Sequence, residues 1–122
     1  MRIPLYLDCA DAYRALALDD VELFKIVNGC GAAGAKFDFI PDTILGLPIK
    51  HACFIHDYEY SVGATIEDKR RADFRFLCNM IEIINNESIG LLKWPRRMRA
   101  QTYYSSVCDL GYRAYWHGKV KP

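Results

Sequence analysis

A chain of 122 residues, 52% of them apolar and 25% charged, is long enough for one domain around one core and too apolar to stay disordered. Its formal net charge of +1 gives no electrostatic reason to expect nucleic acid. No run approaches the length of a membrane span, and Met1-Arg2-Ile3-Pro4-Leu5-Tyr6-Leu7-Asp8 lacks the apolar stretch of a secretory signal, which favours a cytoplasmic location over Sec-dependent export.

Without repeats, low-complexity tracts or linkers, residues 1–122 read as a single domain. The first 18 residues are weakly patterned. Asp19 or Asp20 is placed to cap a short helix through about Val27, which Asn28-Gly29 ends. From Cys30 to Pro48 the composition shifts to Gly, Ala, Pro and Asp, the mark of an ordered loop with turns. Pro48 then opens a helix over roughly Ile49 to Ser61, on which Ile49, Ala52, Cys53, His56 and Tyr60 follow steps of three and four.

After the break at Val62-Gly63-Ala64, Thr65 and Asp68 form an acidic capping box for a second helix that runs to about Asn85. Its later half, Phe76 to Ile84, is apolar on nearly every side, as in a central helix. A third helix begins near Pro95, with Tyr104, Val107, Leu110 and Ala114 along one line, and Gly111 weakens or ends it. The expected fold is mainly α: an antiparallel helix pair with a long third helix packed beside it.

His56-Asp57 is the pair that most resembles working chemistry. A neutral imidazole accepts a proton from water near pH 7, and a carboxylate holds a hard cation. If the helix pair turns symmetrically about Ala64–Thr65, His56 and Asp73 stand at the same height on facing helices, with Tyr60 one turn away and able to donate to the same carboxylate. Asp57, rotated about 100° from His56, faces the Gly/Ala loop instead. The plainer reading is that His56 is a satisfied core residue and Asp73 its structural partner.

These residues resemble the phospholipase A2 superfamily. Secreted members carry Cys-Cys-x-x-His-Asp-x-x-Tyr, against Ala52-Cys53-Phe54-Ile55-His56-Asp57-Tyr58-Glu59-Tyr60 here. Their calcium loop reads Cys-Gly-x-Gly-Gly, against Cys30-Gly31-Ala32-Ala33-Gly34. Bacterial and fungal members place a second Asp after Asn-Lys-x-Arg-x, against Asp68-Lys69-Arg70-Arg71-Ala72-Asp73. The resemblance spans roughly Asn28 to Asn85. Ala33 stands in place of a glycine, and Glu59 in place of a cysteine.

The resemblance implies calcium-dependent hydrolysis of a phospholipid acyl ester. His56 would be the general base, Asp73 and Tyr60 its support, and Asp57 with the carbonyls of Gly29, Gly31 and Ala33 the calcium ligands. It also implies a Cys30–Cys53 bridge. The five Cys, at 9, 30, 53, 78 and 108, are otherwise odd in number and unpaired in spacing, and read as small buried apolar residues. Asp38 and Asp42 are open as further cation ligands, although turn formation is the commoner role of Asp beside Pro.

The chain is also similar to small phage-associated domains of unknown function, through Ile40-Pro41, His56 to Tyr60, Ala72 to Phe76 and Tyr112 to Trp116. That similarity implies a phage-associated, non-catalytic scaffold for a protein partner. Finally, Lys93, Arg96, Arg97 and Arg99 crowd a helix start, where the dipole disfavours cations. Their ordinary reading is a solvated face. The alternative is contact with an anionic partner, a membrane surface or a nucleic acid.

Overall fold

The structure is a computed structural model, and the residues it describes are 3–16 and 40–119. The expected helix from Asp19 or Asp20 to Val27 lies outside them, as do Gly29, Cys30, Gly31, Ala33 and Asp38.

The architecture is mainly helical. The short helix α1 (Asp11–Leu16) precedes a hairpin of β1 (Thr43–Ile44) and β2 (Leu47–Pro48). Then come α2 (Lys50–Val62), α3 (Ile66–Glu87), a 3-10 turn (Gly90–Leu92), α4 (Lys93–Leu110) and α5 (Tyr112–Trp116). Side-chain bridges from Glu59 to Arg75 and from His56 to Asp73 join α2 to α3 beyond their short turn. Between α3 and α4 the bridges run antiparallel, from Lys69–Val107 to Asn85–Arg97.

The turn between α2 and α3 follows from the capping box. Thr65 Oγ1 accepts the Asp68 N–H at 3.1 Å, while Asp68 Oδ2 accepts the main-chain N–H groups of Ala64 and Thr65 at 2.9 and 3.2 Å. These contacts satisfy donors that a helix start otherwise leaves orphaned.

Pro48 does not open a helix. It is the last residue of a two-stranded hairpin in which Ile44 pairs with Leu47 and Thr43 with Pro48, and α2 starts at Lys50. Leu45 and Gly46 form the turn with φ of 47° and 83°, the positive values that suit a tight hairpin. A leucine in that region costs about 1 kcal/mol. Its carbonyl is held from α4: Arg96 donates to Leu45 O at 2.8 Å, to Ile44 O at 3.2 Å and to Ser88 Oγ at 2.9 Å. Tyr103 Oη adds a bond to Thr43 O at 2.9 Å.

Ala52 through Asp57 are all buried, together with Tyr60, so the helix enclosed on every side is α2. On α3 the buried residues form one stripe instead: Lys69, Ala72, Asp73, Phe76, Asn79, Met80, Ile83 and Ile84. The N-terminal segment adds Ile3, Leu7 and Tyr13 to the core, with the Tyr13 ring 5.4 Å from that of Tyr58 on α2. Asn79 pins that segment through both of its amide atoms, accepting from Asp8 N at 2.8 Å and donating to Asp8 O at 2.9 Å. On α4 the buried line is Ala100, Tyr103 and Val107, and Leu110, expected on it, is exposed.

Candidate functional site

Asp73 is the centre of a buried polar cluster built by three helices. One turn of α2 supplies His56 and Tyr60, and one turn of α3 supplies Lys69 and Asp73. Asp73 Oδ1 accepts from His56 Nε2 at 2.8 Å and from Tyr60 Oη at 2.6 Å. Asp73 Oδ2 accepts from Lys69 Nζ at 2.7 Å. The same ammonium donates to Val107 O at 3.1 Å and Cys108 O at 3.4 Å, in the last turn of α4. It also stands 4.3 Å from the centre of the Tyr112 ring. A cation suits that place, because a helix C-terminus presents carbonyls with no intrahelical partner.

The structure thus brings His56, Asp73 and Tyr60 together. It adds Lys69, which sequence reasoning quoted within Asp68 to Asp73 without giving it a role. The signal was present: Lys69 lies one turn before Asp73, on the stripe that continues through Phe76 and Met80.

The protonation pattern follows from the contacts. Burial alone would raise Asp73, but donation from His56, Lys69 and Tyr60 outweighs it and holds the carboxyl below its ordinary range. Burial lowers His56 against the pull of the Asp73 bond, and the charge of Lys69 lowers it further. Tyr60 is raised by burial and by the Asp73 charge, so its phenol remains a donor. An ionised carboxylate only accepts, so His56 Nε2 carries the proton and the lone pair is at Nδ1. Phe76 stacks on the imidazole, ring centres 4.7 Å apart and 23° from parallel.

Two glycines admit this packing. A Cβ at Gly111 would stand 2.6 Å from Tyr60 Oη and 2.4 Å from Val107 O. At Gly63 it would meet Tyr115 Oη at 2.6 Å, and Tyr115 packs edge-on against Tyr60 with ring centres 5.0 Å apart.

Asp57 is buried on α2, and a buried ionised carboxylate needs a partner. A carboxylate with main-chain carbonyls is a donor set that suits calcium. Of that expected set, Asp57 alone is described, since Gly29, Gly31 and Ala33 lie outside. No group of three His, Cys, Asp or Glu suited to a metal occurs among the described residues. Asp42 is exposed, and its main-chain carbonyl accepts Ile49 N–H at 2.9 Å, which extends the hairpin ladder by one pair. Cys53 is disulfide-bonded, and its expected partner Cys30 is outside the described residues. Cys9, Cys78 and Cys108 are free and only partly buried.

Glu59 takes a role that sequence reasoning missed. Its Oε2 accepts from Arg75 at 2.7 Å, and Arg75 also reaches Asp8 Oδ2 at 3.0 Å. Glu59 Oε1 is buried without a hydrogen bond. Burial raises the carboxyl to about 7 despite the Arg75 ion pair. A cleft of about 260 Å³ beside it is lined by Tyr58, Val62, Arg71 and Arg75.

Of the four basic residues at the start of α4, Arg96 is committed to the hairpin. Arg97 hydrogen-bonds the neutral Asn85 at 2.6 Å, and Arg97 and Arg99 are exposed, with Lys93 partly so.

Among known proteins, no family model matches the chain, and no curated protein or solved structure matches it at a significant level. Among the described residues, no helix is long and apolar enough to cross a membrane.

Proposed function

We propose that the protein hydrolyses a phospholipid acyl ester with water activated by His56. The observation that carries this reading is the His56 Nε2–Asp73 Oδ1 contact of 2.8 Å, which puts the lone pair of a neutral imidazole at Nδ1. The likeness of Cys53 to Tyr60 and of Lys69 to Asp73 to the phospholipase A2 superfamily supports it. His56 takes the proton from water. Asp73 and Tyr60 fix the tautomer, and the Asp73 charge stabilises the imidazolium that forms. Burial favours the neutral base at pH 7.

Asp57, with the carbonyls of Gly29, Gly31 and Ala33, would hold calcium. When bound, that ion supplies polarisation of the ester carbonyl. The Gly31 amide would aid the developing oxyanion.

The test is a mixed-micelle assay with calcium, with chelator, and with His56→Gln. Turnover that needs calcium and falls by roughly two to four orders of magnitude in the variant is expected. Calcium-independent turnover, or an unimpaired variant, overturns the reading.

One observation favours a second reading. Lys69 already neutralises Asp73 and ties α3 to α4, so the cluster has a structural purpose of its own. A non-catalytic, phage-associated scaffold for a protein partner would keep it for that purpose. A native-state ligand raises stability, so a thermal shift with millimolar calcium supports the hydrolase and no shift supports the scaffold.

A further inference from the structure

We propose that the 3-10 turn and the start of α4 form a docking surface for an anionic phospholipid bilayer. The apolar side chains there are not folded away. Leu91 is 95% exposed, Ile89 87%, Trp94 69% and Met98 52%. Gly90 turns the chain with φ of 49°, and a Cβ placed there would meet no atom within 4 Å, so the turn projects into open space. Trp94 and Met98 are one helical turn apart, and Arg97 falls on the same face between them. Leaving such side chains in water gains nothing for the fold, and a contiguous apolar patch rimmed by polar groups marks an interaction site.

Charge selects the occupant. Between Glu87 and Asp109 the chain has no acidic residue, while it carries Lys93, Arg96, Arg97 and Arg99. Arg96 is tied to the hairpin carbonyls, which leaves Lys93, Arg97 and Arg99. Among the described residues none of these three is in a salt bridge. A second copy of the chain would bring two such cationic faces together, and like charges oppose that pairing.

Its two most exposed side chains, Ile89 and Leu91, flank Gly90, whose surroundings are open. Side chains so placed can enter a deformable phase. In a bilayer, Ile89 and Leu91 enter the acyl boundary and the Trp94 ring lies at the headgroup level. The cations meet the anionic headgroups, their stems lying along the apolar surface. This surface does not depend on ester hydrolysis, and its test reads binding alone.

The experiment is co-sedimentation of the full chain with vesicles of phosphatidylcholine, alone or mixed with phosphatidylserine. Binding to the mixed vesicles that weakens with added salt, and much weaker binding to phosphatidylcholine alone, is expected. Leu91→Ser/Trp94→Ser removes the apolar wedge and Arg97→Gln/Arg99→Gln removes charge. Each lowers partitioning on mixed vesicles by roughly ten-fold or more, since one surface cation contributes about five-fold. All four positions are exposed, so thermal midpoints remain at the wild-type value.

No binding to mixed vesicles, equal binding to both kinds, or binding unchanged in both variants overturns the proposal. Self-association without vesicles that the Leu91→Ser/Trp94→Ser variant abolishes also overturns it, by giving the face to a second copy.

Discussion

Burial lowers His56, and Lys69 adds to it in keeping the imidazole neutral. Two cations cannot share the Asp73 carboxylate without repelling each other. Lys69, fixed by Asp73 and by two α4 carbonyls, holds one side of it, so His56 is favoured neutral. In Lys69→Met, Asp73 would keep only His56 and Tyr60, and the imidazolium would become its sole cationic partner. Breaking a buried pair costs about 3–5 kcal/mol, measurable by denaturant unfolding. Over the same change the His56 titration, followed by NMR, moves upward, and any rate limited by the neutral base loses its acid side at higher pH. A His56 titration that does not move would remove Lys69 from any electrostatic role. His56, Tyr60 and Asp73 were legible because helical spacing puts them on one seam. Lys69 was not, because its place in the cluster depends on the stripe it shares with Asp73 and on carbonyls 38 and 39 residues away.

Among the elements, the helix pair and its turn were legible because local chemistry specifies them: steps of three and four along α2, and a capping box at Thr65 and Asp68. The hairpin was hidden for the opposite reason. Its turn is Leu45-Gly46 instead of the usual Asn-Gly, and what holds it is Arg96, 51 residues away from Leu45. The helix α1 is six residues long, too short for a periodic signal, and its packing depends on a segment pinned by Asn79. Gly111 combines a local and a distant demand: it ends α4 and leaves room for the Tyr60 hydroxyl. Gly111→Ala is therefore expected to cost about 1–3 kcal/mol by overpacking. Tyr60→Phe in the wild-type background loses a bond to a carboxylate, about 1.5–3 kcal/mol. Combined, the two cost less than their sum, because the phenylalanine removes one of the two clashes. A double-mutant cycle in denaturant measures that coupling, and strict additivity would separate Gly111 from the site.

The N-terminal segment, α2 and α3 converge on Glu59, where Arg75 bridges it to Asp8. Among the described residues, the buried His56 and the partly buried Glu59 have opposite effects on stability near neutral pH, and His51, also lowered by burial, acts in the same sense as His56. His56 is lowered from 6.5 by burial, so its contribution is complete above that value and is lost as pH falls through its folded value. Glu59 is raised from 4.5 to about 7, so the folded state binds the extra proton between those values and stability falls as pH rises through them. The two slopes oppose each other over the shared range, and wild-type stability is correspondingly flat there. Glu59→Gln keeps the His56 slope and removes the other. From below pH 4.5 to above pH 7 the variant gains on the wild type by up to about 3 kcal/mol, the free-energy equivalent of that shift. Urea unfolding of both proteins across this range measures the difference. Parallel curves would mean that water reaches the Glu59 carboxylate, and that the interior at this junction is not the desolvated place its packing implies.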